Sequence, residues 1–422
     1  MIPKVRDRIE QIRHGQVPKG CQMTRLGIVP SDWVTCRIGE CLERVERPVE
    51  VQADKLYTQI GIRSHGKGLF YKEEVTGAEL GNKAVFWIEP NCFILNIVFA
   101  WEQAIGKTTQ AEEGMIGSHR FPMYRPINSR VDIDYLINYF LTKRGTEILE
   151  AASPGGAGRN KTLGQDRFMK SKVVLPPLAE QRKIAKILAT QDRVIELKGK
   201  LLAEKQWQKK YLMQQLLTGK KRLPGFDGKW EKVKLSEVLF ERKEKNICQD
   251  HRICSVAVQK GVVDQIEHLG RSYAAADTSN YGVAHYGDVI YTKSPSGEFP
   301  YGIIKQSQLK DDVAVSPLYG IYEPASYELG YVLHTYFGST INCSNYLLPI
   351  IQKGAKNTIN ITNGVFVSNC LYLPVDHGEQ KALAKVFVAV DREIDLFRQD
   401  LEQEELKKKA LMQLLLTGIV RV

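Results

Sequence analysis

The sequence of 422 residues contains no C-x-x-C pair, and its eight cysteines are scattered at 21, 36, 41, 92, 248, 254, 343 and 370. That pattern excludes a disulfide framework and reads as a reduced, intracellular chain. No apolar run reaches the roughly 18 residues of a membrane-spanning helix. The opening MIPKVRDRIEQIR is charged and lacks the apolar stretch of a signal peptide, so the expected location is cytoplasmic. Catalytic motifs are missing too. GGAGRNKT (155–162) approaches the phosphate-binding pattern G-x-x-x-x-G-K-[ST], but Asn160 stands where glycine is required, and the preceding segment reads as helix rather than strand. Cys248-x-x-His251-x-x-Cys254 has no fourth ligand at usable spacing, and a structural zinc site needs four. There is no HExxH, no GxSxG, no Asn/Asp-Pro-Pro-aromatic tetrapeptide and no glycine-rich loop following a strand. The expectation is a chain with no catalytic residues, no metal and no cofactor of its own.

What is present is charge and repetition. Lys and Arg number 59 against 48 Asp and Glu, a net charge of +11, with apolar content of 43%. An ordinary globular chain with that basic excess favours a polyanionic partner. The repetition is more specific. KKYLMQQLLTG (209–219) and KKALMQLLLTG (408–418) share nine of eleven positions, and the match runs back without a gap to Glu180-Gln181 and Glu379-Gln380, where 18 of 40 residues are identical. Fainter echoes precede each copy. Trp33 and Trp230 open W-x-x-x-[RK]-[IL]-x-E-x-L stretches, SHRFPMYRP (118–126) aligns with SPLYGIYEP (316–324), and Arg159-Asn160 aligns with Lys356-Asn357. The order is therefore segment, long helix, segment, long helix. We expect boundaries at 1–25 (N-terminal segment), 26–178 and 221–377 (mixed α/β domains), and 179–220 and 378–422 (helices).

Both helices lack proline and end in Thr-Gly, a glycine cap. Apolar residues fall at alternating four-and-three spacing, which is a coiled-coil seam. The seam comprises Ile184, Leu188, Ile195, Leu202 and Leu212 in the first copy, and Leu383, Phe387, Ile394, Phe397, Leu401 and Leu411 in the second. Gln191, Lys198 and Lys205 interrupt the first stripe. Residues 180–222 hold 12 basic and 4 acidic side chains, whereas 379–422 hold 8 of each. An antiparallel pair in register with the repeat boundaries places Lys198 near Asp400, Lys205 near Glu393 and Arg193 near Glu405. The segments between the helices carry strand-like runs at 84–101 and 287–304, and helices are expected at 134–152 and 327–337. Basic, glycine-bearing loops are the candidates for touching phosphates or base edges: Arg63, Ser64 and Lys67 in GIRSHGKGLFYKEE, Lys107, Arg159-Asn160-Lys161, Lys293, Ser294 and Ser296, and Lys356-Asn357-Thr358.

Taken with LPPLAEQRKIAKIL (175–188), GFDGKW (225–230), GKGLF (66–70), AWEQAIG (100–106) and GDVIYTKS (287–294), the paired LMQxLLTG endings make the chain resemble the specificity subunit of Type I restriction–modification systems. The resemblance covers nearly the whole chain. It implies two target-recognition domains, each reading half of a split, asymmetric site in double-stranded DNA. It also implies two long helices, forming an antiparallel coiled coil with a pseudo-twofold internal repeat, that space the domains and dock two methyltransferase subunits. A restriction subunit would join in some assemblies. S-adenosylmethionine would belong to the methyltransferase, and ATP and Mg to the restriction subunit. The second copy departs from the pattern with LPVDHGEQ (373–380), which points to less regular docking there. A stand-alone bipartite repressor would need a helix-turn-helix, and a fused modification enzyme would need catalytic motifs; neither is found.

Overall fold

The computed structural model describes residues 3–24, 26–81, 83–155, 161–293, 295–353 and 359–422. It forms two compact units, residues 1–197 with 401–422 and residues 198–400. Each is a mixture of strands and helices built on one plan. In the first unit an antiparallel sheet has the order Leu42–Val45, Met123–Pro126, Phe93–Leu95, Ile105–Lys107. In the second unit the order is Leu239–Glu241, Gly320–Pro324, Val289–Tyr291, Ile304–Gln306, also antiparallel. A two-stranded ribbon closes each unit, Val34–Arg37 with Lys172–Leu175 and Trp230–Lys234 with Cys370–Pro374. The W-x-x-x-[RK]-[IL]-x-E-x-L echo therefore codes for a shared substructure: Ile38 and Leu42, like Leu235 and Leu239, are at most 2% exposed in the two cores.

The units diverge in what is added. The second carries another four-stranded sheet, ordered Gly261–Asp264, Arg252–Ala257, Val313–Val315, Gly282–Ala284, with one parallel pairing. The first carries short pairs instead, among them the hairpin Ile60–Ile62 with Leu69–Tyr71. The single helix expected at 134–152 is two, Ile133–Phe140 and Lys143–Ala151. Thr142 takes extended backbone and its hydroxyl accepts the Gly145 N–H, so a strong N-cap interrupts an otherwise helical pattern. The counterpart helix is Tyr327–Tyr336.

The long helices are Leu178–Leu216 and His377–Leu416. Among the described residues no helix is long and apolar enough to cross a membrane. In the first unit Ile184 and Leu188 are fully buried beside Leu415, Leu416 and Phe168. In the second unit Leu383 and Phe387 are buried with Met213, Leu216 and Tyr331, and Ile394 is 6% exposed. Ile195, Leu202, Leu212, Phe397, Leu401 and Leu411 are half-buried along the seam.

The polar interruptions of the stripe meet partners on the other helix. Gln191 donates to the Glu404 carbonyl at 3.1 Å and carboxylate at 2.7 Å. Lys198 pairs with Asp400 at 2.7 Å, Lys205 with Glu393 at 2.7 Å, and Lys209 with Asp391. Rising numbers on one helix meet falling numbers on the other, so the helices run antiparallel. The third expected pair does not form: Arg193 bonds Glu196 on its own helix at 2.8 Å, a partner one turn away that needs no reach across the groove.

The repeated Glu-Gln and Thr-Gly-x-x-Arg close each unit. Glu180, 5% exposed, accepts two bonds from Arg421 at 2.6 and 2.7 Å and one from the Trp33 indole at 3.2 Å. Glu379, 1% exposed, accepts two from Arg222 at 2.6 and 2.5 Å and one from Trp230 at 3.2 Å. Gln181 and Gln380 donate to the Pro176 and Pro374 carbonyls, both at 2.9 Å, and also bond the N-cap residues Asp132 and Ser326 of the helices above. Gly418 (φ 72°) and Gly219 (φ 69°) take the left-handed conformation that turns the chain toward these arginines, and a Cβ on Gly418 would lie 2.4 Å from Pro30. LPVDHGEQ reaches the same arrangement by another cap: the Asp376 carboxylate accepts the Gly378 and Glu379 N–H groups, where the first copy uses the Pro177 carbonyl.

Candidate nucleic-acid interface

Two stretches singled out in sequence meet in the first unit. The turn after Ile60–Ile62 carries Arg63, Ser64 and Lys67, with His65 in the left-handed region (φ 61°). It is fastened to the 100–106 stretch. The His65 N–H donates to the Glu102 carbonyl at 2.8 Å, the Gly66 N–H to the Gln103 carbonyl at 2.9 Å, and the Ser64 hydroxyl to the Glu102 carboxylate at 3.0 Å. Arg63 donates to the Leu69 carbonyl at 3.1 Å, and its guanidinium lies 5.0 Å from the Phe70 ring centroid. Ser64 and Arg63 thus hold the turn in shape, and Lys67 is exposed on it.

Other candidates are also committed within the fold. Lys107 pairs with Asp134 on the following helix at 2.7 Å. Its counterpart in the second sheet, Gln306, likewise ties to a helix, donating to the Tyr327 carbonyl at 2.9 Å, so the position fastens sheet to helix in both units. Lys161 lies 5.1 Å from the Trp101 ring centroid. In the second unit Lys293 is left-handed (φ 57°) directly after Val289–Tyr291, and burial lowers its pKa from the ordinary lysine value. Ser296 closes a tight turn with Phe299 through two backbone bonds of 3.0 Å. Arg159, Asn160, Ser294, Lys356, Asn357 and Thr358 lie outside the described residues. Of the Cys-His-Cys stretch, Cys254 is buried in a strand, Cys248 is exposed, and His251 bonds Asn246 at 2.9 Å.

Beside the fastened turn the first unit has a groove of two lobes, about 210 and 380 Å³. Lys72, Asn96, Phe99 and Phe121 line both lobes, Gln59 and Arg120 the smaller, and Ser64, Phe70 and Glu102 the larger. Asn96 follows the Phe93–Leu95 strand and is 8% exposed. Its side-chain carbonyl accepts the Val98 N–H at 3.0 Å. Lys72 and Arg120 are exposed, and among the described residues neither forms an ion pair. At the equivalent place in the second unit stands Thr292, whose N–H bonds Ile303 as that of Asn96 bonds Ala104, and whose hydroxyl accepts the Ile303 N–H at 3.0 Å. Sequence reading missed Asn96, Arg120 and Lys72 as site residues, although all three fall in or beside the stretches it quoted. Composition does not tell which polar side chains the fold consumes and which it leaves facing solvent.

The architecture and the sequence agree with those of known proteins. Residues 30–204 match the Type I restriction modification DNA specificity domain. The chain is 25% identical over 438 aligned positions to the Type I restriction enzyme MjaVIII specificity subunit of Methanocaldococcus jannaschii, covering 93% of this chain and 94% of that one. In fold it is similar to the HsdS subunit from Thermoanaerobacter tengcongensis (TM-score 0.50, 18% identity, 93% and 98% covered). It is also similar to the Type-I restriction-modification system S subunit from M. genitalium (TM-score 0.56, 11% identity, 91% and 96% covered). Residues 30–204 thus match a Type I restriction modification DNA specificity domain, and end to end the chain is similar to specificity subunits of these systems.

Proposed function

We propose that the chain is a DNA-reading subunit without catalysis of its own, acting on double-stranded DNA in the cytoplasm. Each sheet-rich unit reads one half of a split, asymmetric site, and the long helices dock two methyltransferase subunits. The observation that carries this reading is the pairing of sameness with divergence. The central four-stranded sheet, the closing ribbon and the Trp–Glu–Arg arrangement occur twice, while the strands added around them differ. A frame written twice suits two equivalent partners, and different additions suit two different half-sites. The net charge of +11 supports a polyanionic partner.

The docking half of the proposal has its own support. Off the coiled-coil seam, exposed apolar residues recur at equivalent positions of the two helices: Leu197 (49%) with Leu396 (57%), and Trp207 (65%) with Leu406 (58%). Trp207 stacks on the exposed Tyr211 at 6.0 Å. The methyltransferase would bring S-adenosylmethionine, and a restriction subunit, where one joins, ATP and Mg.

The test is co-expression with a Type I methyltransferase subunit from the same source, followed by methylation-aware sequencing of host DNA. One bipartite motif that depends on this chain is expected. Methyl transfer by the purified chain alone, or an identical methylation pattern without it, would overturn the reading.

A further inference from the structure

We propose that the groove of the first unit reads a guanine through the O6/N7 acceptor edge, with Asn96, Lys72 and Arg120 as its specificity-determining residues. This rests on the DNA-reading function proposed above and names the chemistry of one contact within it.

The argument begins with Asn96. An asparagine with both amide ends available donates and accepts at once, and suits adenine. Here the carbonyl end is already taken by the Val98 N–H at 3.0 Å. The amide NH₂ has no acceptor among the described residues and lines both lobes of the groove. With that bond made, the unpartnered end of Asn96 is its amide donor. Lys72 and Arg120, at the same groove, are donors by nature. The one carboxylate on the lining, Glu102, already accepts the Ser64 hydroxyl at 3.0 Å. Three donors against one carboxylate already bonded favour a ligand that supplies acceptors, and guanine is the base whose major-groove edge presents two.

A phosphate also accepts, but the shape of the site favours a base. Asn96 is 8% exposed, recessed where a backbone phosphate on the DNA surface would not reach. Phe70, Phe99 and Phe121 line the cavity, and Phe99 is 39% exposed. Apolar walls suit the edge of a base and offer nothing to a charged phosphate. The second unit has no amide at the equivalent position: Thr292 stands there, its hydroxyl accepting the Ile303 N–H. The two half-sites are thus read by different chemistry, as an asymmetric site requires.

The experiment uses the full chain with its methyltransferase and reads the methylated motif by sequencing. Asn96→Asp is nearly isosteric and keeps an oxygen for Val98, but replaces the donor with an acceptor. Methylation at the parent motif should fall by tenfold or more, with the specified guanine of one half-site replaced by adenine or cytosine, whose amino groups donate. The other half-site should be unchanged, which also reports that the variant folds. Arg120→Ala should relax the same position without choosing a new base. An unchanged motif at unchanged level in both variants overturns the assignment. So does a uniform loss of methylation with the motif intact, which is the signature of a phosphate contact. If the unaltered chain directs no motif at all, the DNA-reading function itself fails and takes this assignment with it.

Discussion

Lys305 shows how far a single residue's behaviour depends on its surroundings. It sits on the Ile304–Gln306 edge strand, between an isoleucine and a glutamine, and it is 8% exposed. Burial, reinforced by the charge of Lys209 and opposed by that of Asp391, pulls its pKa down to about 8. Between that value and the ordinary 10.5 the folded chain holds a neutral amine while the unfolded chain is still protonated. The unfolded state binds more protons, so this group makes stability rise with pH across that window and penalises the fold below it. Lys305→Met should remove the penalty, stabilising the protein at pH 7 by about 1–3 kcal/mol and flattening the rise above pH 8. Urea midpoints at pH 7 and 9.5 measure both effects. A fall in the midpoint at pH 7 would mean that the ammonium is better paired than its burial implies.

At the level of elements, the long helices were the most legible part of the sequence, because their signal is local: an unbroken apolar period, no proline, and Thr-Gly at the end. Two of three cross-helix pairs also followed from the repeat boundaries, since an antiparallel pair built from equivalent halves has little freedom of register. Pairs such as Lys198–Asp400 are half-exposed and each should contribute about 0.2–1 kcal/mol, selecting register more than holding it. The anchoring lies at the helix ends, and there the sequence showed only repeated spelling without a reason. Glu180 and Glu379 are buried carboxylates whose charge is matched by Arg421 and Arg222. Arg222→Ala leaves Glu379 buried and unmatched and should cost roughly 2–4 kcal/mol. Trp230→Phe removes one bond from a neutral donor to that carboxylate and should cost about 1.5 kcal/mol. Denaturant unfolding ranks the two, and equal costs would show that the arginine acts through packing alone.

For the whole molecule, the proposed function makes the repeat a statement about partners. Positions buried on the helices are explained by the cores they join; Trp207, Tyr211, Leu396 and Leu406 are not, because they face solvent. If methyltransferase subunits cover these faces, Trp207→Asp should weaken capture of one subunit at least tenfold, and the double variant Trp207→Asp with Leu406→Asp should abolish capture of both. Chain stability should change by less than about 0.5 kcal/mol, as for other surface substitutions. Native mass spectrometry of the co-expressed complex reads the stoichiometry. Full retention of two subunits in the double variant would move the docking surface off the helices.

By itself the sequence determined the mixed fold class, the tandem repeat, both long helices with their antiparallel register, and the absence of recognisable catalytic motifs. Each of these rests on periodicity, spacing or spelling within a short window. Tertiary structure decided the rest. It broke the 134–152 helix at Thr142, whose hydroxyl capped a new start, and it spent Lys107, Ser64 and Arg63 on holding strands, turns and helices together. It left Asn96, Lys72 and Arg120 turned toward a groove. Which polar side chain is consumed and which is left to bind depends on neighbours tens to hundreds of residues away, such as Glu180 with Arg421. Closing contacts over that distance is work for the packed core, and no local pattern in the chain records it.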